Sequence, residues 1–235
     1  MLSAGLAARA FDPVQRLGAT SGVLGFALAV AAIVVGVSTG TPAANPGASA
    51  DEIARAYGNA PSPLVWVGAI LQIVAFLCLF GFATYLASSL ARGPKSADWL
   101  PGLVSGAGQI FVSLTLAGFA IGSVARFRAG PGLEISAAMV LFDVHVALYV
   151  ASWAVGAVFM ASAAVAGLRS TALPVWLCLA AACIAAVNMA AVALPTTPLA
   201  SFPNVLMWLW ALAAGVLLLA RSGRTSDSQN ETVRS

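Results

Sequence analysis

The chain reads as an all-α membrane protein: a six-transmembrane-helix bundle with a short helix in the first extracytoplasmic loop. Three observations predict this. A spanning helix needs about 20 predominantly apolar residues, and six stretches qualify: Leu17 to Thr39, Pro63 to Ala91, Trp99 to Val124, Ser136 to Leu168, Leu173 to Leu194 and Asn204 to Ala220. Short polar connections separate most of them. The composition, 60% hydrophobic and 8% charged with a mean hydropathy of +0.95, leaves too little polar surface to cover a water-soluble domain of this size.

Residues 1–16 read as a cytoplasmic N-terminal segment, 17–221 as the transmembrane domain and 222–235 as a disordered cytoplasmic tail rich in Ser, Thr, Asn and Gln. The first span ends in Gly40-Thr41-Pro42, followed by small residues at Ala43-Ala44 that resemble a signal cleavage site. Its apolar run is longer than a signal core, so a retained helix is expected. Orientation follows from Lys and Arg in the loops. With the N-terminus inside, Arg9, Arg16, Arg92, Lys95, Arg169, Arg221, Arg224 and Arg234 face the cytoplasm, against Arg55, Arg126 and Arg128 outside. Eight against three puts both termini in the cytoplasm.

The longest loop, Gly40 to Ser62, is external on this topology. Thr41 to Gly47 is irregular, whereas Ser49-Ala50-Asp51-Glu52-Ile53-Ala54-Arg55-Ala56-Tyr57 offers a capping serine, early acids and good helix formers. A short surface helix is expected, either covering the bundle end or acting as a lid over a pocket. The two inner turns are compact: Arg92-Gly93-Pro94-Lys95 leads to Trp99-Leu100-Pro101, and Arg169-Ser170-Thr171 leads to Leu173-Pro174. Each sets a proline at the start of the next helix, where its missing N–H costs nothing. The shared Leu-Pro start makes a weak internal repeat, short of a transporter-type duplication.

Gly18-xxx-Gly22, Gly102-xxx-Gly106 and Gly118-xxx-Gly122 are spacings that let helix backbones approach closely, within the bundle or across a homo-oligomer face. Cys78, Cys178 and Cys183 all fall in apolar segments and read as small packing residues. The net charge of +3 is scattered over helix ends, which does not support nucleic-acid binding.

Polar residues inside the spans carry the functional information, because an unpaired polar group in hydrocarbon is costly. They are Gln72, Gln109, Asp143, His145 and Asn188, with Ser113, Thr115, Tyr149 and Ser152. The fourth span is about 50 Å long at 1.5 Å per residue, beyond a hydrocarbon core of about 30 Å, so its outer end must tilt, break or project. Asp143 then lies near Arg126 and Arg128 at the outer end of the third span, and an ion pair there is the expected structural role. A metal site at Asp143-x-His145 is disfavoured, since residues two apart on a helix point about 200° apart. The lone histidine also excludes a multi-histidine zinc or bis-histidine haem site within one chain. No cofactor is expected. His145, Tyr149 and Ser152 share one helix face and, with Gln72, Asp143 and Asn188, are the candidate ligand-binding set in an outer polar pocket.

The six-span layout, the Ala172-Leu173-Pro174-Val175-Trp176-Leu177 start of the fifth span and the closing Met207-Trp208-Leu209-Trp210-Ala211-Leu212 resemble an uncharacterised family of bacterial multi-pass membrane proteins, frequent in actinobacteria and known only as a domain of unknown function. The resemblance implies a bacterial inner membrane and carries no activity. A small-molecule or lipid-binding protein with an outer pocket is the leading expectation, with membrane lipids as partners. A transporter needs a polar path through the inner half, where only Gln109, Ser113 and Thr115 stand. An enzyme needs an acid and base acting together, and only Asp143 and His145 are available. A structural subunit of a membrane complex is the remaining alternative.

Overall fold

A computed structural model describes residues 13–39, 48–57, 62–93, 99–128, 134–197 and 202–234. The N-terminal segment to residue 12, the irregular stretch from Thr41 to Gly47 and the Pro94-Lys95 turn lie outside the described residues. The described residues form seven helices: α1 Pro13–Ser38, α2 Ala50–Tyr57, α3 Pro63–Ala91, α4 Leu100–Phe127, α5 Ile135–Ser170, α6 Val175–Ala193 and α7 Phe202–Arg234. All but α2 contain a segment long and apolar enough to cross a bilayer. In α7 that segment ends at Arg221, and the helix continues to Arg234 where the sequence predicts a tail without regular structure.

The six long helices close into a ring, α1 to α3 to α4 to α5 to α6 to α7 and back to α1. Because every side of each helix meets either a neighbour or lipid, the apolar residues need no one-sided stripe. Exposed Ile70, Leu77, Val140, Val165 and Leu179 form the outer skin, and Phe76, Phe82, Phe111, Trp153, Phe159, Trp208 and Trp210 fill the ring. Exposed Trp99 and Trp176 mark one end of the bundle, the level at which amphipathic indoles sit in a bilayer.

That end is tightly knitted. The α3–α4 turn lies on the α5–α6 turn so closely that a methyl group on Gly93 would meet the Ser170 backbone. Thr171 ends α5 in the left-handed region (φ 55°). Arg221 of α7 donates to the Ala172 carbonyl, and the Trp210 indole N–H donates to the Leu177 carbonyl (2.9 Å), which ties α7 to α6.

The other end carries α2. Ser49 and Glu52 form a reciprocal cap: the Ser49 N–H donates to Glu52 Oε2 (2.8 Å), and the Glu52 N–H donates to Ser49 Oγ (3.3 Å). Ile53 and Tyr57, one turn apart, bury their side chains against Ala125 of α4 and Ala138, Phe142 and Val146 of α5. This separate small core is possible because α5, 36 residues and about 54 Å long, runs on past the hydrocarbon without a break.

Of the three small-residue pairs, two are packing seats inside the chain. Gly18 and Gly22 of α1 lie under Tyr85 and Phe82 of α3, and Gly118 and Gly122 of α4 lie under His145 of α5. Gly102 and Gly106 have nothing within 4 Å of where a Cβ would stand.

Candidate functional site

The six candidate ligand residues do not converge on one pocket; the helices sort them into four places. His145 sits on the α4–α5 seam, where the two glycines let the backbones close. Its Nδ1 lies 2.7 Å from the Gly118 carbonyl, and since a carbonyl only accepts, Nδ1 carries the proton. The ring also stacks on Tyr149, with centroids 6.5 Å apart.

Tyr149, Ser152 and Asn188 lie elsewhere: Tyr149 bonds toward α7, and Asn188 of α6 faces Gly156 of α5, its Oδ1 3.3 Å from where a Cβ would stand there. The Ser152 hydroxyl donates to the Tyr149 carbonyl (2.6 Å), and the Asn188 amide donates to the Ile184 carbonyl (2.9 Å). The Tyr149 hydroxyl bonds the Asn204 amide and lies beside the Trp153 indole N–H, which lacks the alignment of a hydrogen bond. Ser152 is thus satisfied within its own helix and Tyr149 by α7, whereas the buried Asn188 Oδ1 has no hydrogen-bond partner.

Asp143 stands apart on the exposed face of α5. The ion pair expected between it and Arg126 or Arg128 is not formed. Arg128 is exposed, and Arg126 pairs with the Tyr57 hydroxyl of α2. The physical reason is facing: Arg126 lies one turn beyond Gly122 on the interior face of α4, whereas Asp143 follows buried Phe142 and precedes exposed Val144 on the outer face of α5. Asp143 and His145 accordingly do not act as one acid and base pair, and the described residues contain no group of three or more His, Cys, Asp and Glu that could hold a metal.

Gln72 lines a cavity, and Arg126, read from the sequence only as an ion-pair partner, lines it too. The cavity is about 110 Å³ and lies among α1, α3 and α4 at the α2 end, walled by Val35, Thr39, Val65, Gly68, Gln72, Phe119 and Arg126. Tyr57 of α2 hydrogen-bonds the Arg126 that lines it. Burial pushes the Tyr57 phenol above its ordinary range, with the adjacent guanidinium partly offsetting the shift.

Directly outside this cavity α3 and α4 part. Deeper in the bundle they touch where Gly108 meets Ala83, and at the α2 end Trp66 and Phe127 stack with ring centroids 4.2 Å apart. Between these two contacts opens a groove of about 690 Å³ lined by Trp66, Ile70, Ile73, Leu116, Phe119, Ala120, Ser123 and Phe127. Its lining is almost wholly apolar, and the Ser123 hydroxyl is turned to the Phe119 carbonyl of its own helix (2.8 Å). Ala69 and Phe119 line both spaces, so groove and cavity adjoin.

Gln109 donates to Ser105 Oγ (3.1 Å), Thr115 bonds the Phe111 carbonyl (2.9 Å), and Leu79, Phe82, Leu86, Phe159 and Met160 fill the interior at their level. No protein-family model, curated protein or solved structure matches the chain.

Proposed function

We propose that this protein is a membrane-resident binding protein for a lipid or similarly amphiphilic small molecule, which enters sideways between α3 and α4. The observation that carries this reading is the adjacency of two unlike spaces: a small cavity with Gln72, Thr39 and Arg126, and a large apolar groove open to the membrane. A wholly polar solute has no use for the groove, and the groove's volume lies within the roughly 300–1,000 Å³ of ligand sites. Transport is less well supported, because the half away from α2 is packed with large apolar side chains. The excess of Lys and Arg on the other side supports an orientation with both termini in the cytoplasm, which turns the α2 end and the cavity outward, and the bacterial inner membrane is what the family resemblance implies.

The test fills the groove. Protein purified in mild detergent is expected to carry a lipid identifiable by mass spectrometry, and Ala120→Trp is expected to lose it while melting within a few degrees of the wild type, since Ala120 is exposed in the groove wall. Equal lipid retention by Ala120→Trp and wild type rejects the reading.

A further inference from the structure

We infer that the occupant is an anionic membrane lipid, with its headgroup phosphate or carboxylate on Arg126 and one acyl chain in the α3–α4 groove; this rests on the lipid-binding reading above. Charge comes first. Arg126 lines the cavity within the last turn of α4, and its partner among the described residues is the neutral Tyr57 phenol. A guanidinium carries five N–H donors in a planar fork suited to two oxygens of one anion, and a single phenol oxygen engages only part of it. A cation at the edge of hydrocarbon without a counter-charge is unfavourable, and a lipid anion at the same level supplies one.

Size and depth agree with that choice. The cavity, at about 110 Å³, is smaller than the roughly 150 Å³ that holds a benzene ring, so it suits a carboxylate or phosphate and not a bulky sugar or trimethylammonium head. From Arg126 the groove descends to Leu116, ten positions and about 15 Å along α4. An interfacial anion with a hydrocarbon chain below it has this layout. Thr39 and Gln72 flank the head, and the Trp66–Phe127 stack crosses the groove at its upper end.

The experiment offers the full-length protein an equimolar mixture of phosphatidylglycerol and phosphatidylcholine with identical acyl chains and reads bound lipid by native mass spectrometry. The expected result is a preference for phosphatidylglycerol of tenfold or more in the wild type, falling to near unity in Arg126→Gln with total bound lipid retained, and unchanged in Tyr57→Phe. Equal binding of the two lipids by the wild type, which needs no variant, overturns the inference and leaves the lipid-binding reading standing. A preference that survives Arg126→Gln overturns the anchor. If glycerol 3-phosphate without a chain displaces the bound lipid at equal concentration, the acyl groove plays no part and the lipid assignment falls. Unchanged total lipid in Ala120→Trp overturns the lipid-binding reading itself.

Discussion

The two sides of α4 meet their neighbours in opposite ways. Toward α5, Gly118 and Gly122 remove side-chain bulk, and the helices approach until His145 reaches the Gly118 carbonyl. Toward α3, Leu116, Phe119 and Ala120 face an open groove between the Gly108–Ala83 contact and the Trp66–Phe127 stack. In a bilayer no hydrophobic force pulls helices together, so side-chain size decides whether a seam seals or opens. The sealed seam absorbs its histidine; the open one leaves Gln72 and Arg126 at a cavity.

The largest effect should come from breaking the sealed seam. A methyl group at Gly122 would already lie 3.2 Å from the His145 ring, so Gly122→Leu should cost about 3 kcal/mol or more by overpacking. Gly106→Leu, with open space over it, should cost under about 0.5 kcal/mol. Thermal melts in one detergent make the comparison, and equal losses would show that the seam is not where α4 is held.

His145→Ala tests the same seam from the other side. Losing the bond to Gly118 and part of the ring's packing should cost about 1–3 kcal/mol. Bound lipid should be unchanged, because His145 does not line the cavity or the groove. Loss of lipid without loss of stability would return His145 to the binding site.

On the open side, Trp66→Ala removes the stack with Phe127 and should cost about 1 kcal/mol. Lipid exchange, followed by the loss of a labelled lipid into empty detergent micelles, should become faster. An unchanged exchange rate would mean that the stack does not bound the entry.

The smallest effect concerns α2. Its hydrogen bonds to Ser49 hold Glu52 below the ordinary carboxylate value of 4.5, so the contribution of this cap is present above that value and lost as pH falls through the lowered one. Tyr57 runs the other way. Its raised phenol contributes below the ordinary value of 10 and is lost as pH rises through the raised one. The protection factors of the α2 amides, taken against the intrinsic exchange rate at each pH, should therefore be highest between these limits and fall at both extremes, with those of α4 and α5 unaffected; Glu52→Gln should remove the acid limb alone. An acid limb that persists in Glu52→Gln would assign it elsewhere.

Much of the architecture was legible in the residues. Pro63 to Ala91 matches α3 at both ends, and Ser49 with the early acids marked α2, because caps and apolar runs are local properties of the chain. The spacing of Gly118, Gly122 and Arg126 at four-residue steps also places the arginine on the packed face of α4, a signal that could have separated it from Arg128. The separation of Gln72 from His145, Tyr149, Ser152 and Asn188 was not recoverable this way. Depth can be counted along a helix, but azimuth between helices depends on which one sits next to which.

The sequence by itself determined the solvent, the six long helices, the surface helix and the list of polar residues that needed partners, since each follows from hydropathy, length and the cost of burying polar groups. Only the tertiary structure decided the partners. The ring order brought Tyr57 rather than Asp143 to Arg126, and the uneven bulk on the two sides of α4 opened a groove beside Gln72 while closing the seam over His145. Those outcomes depend on close packing between segments far apart in the chain, which no local pattern encodes.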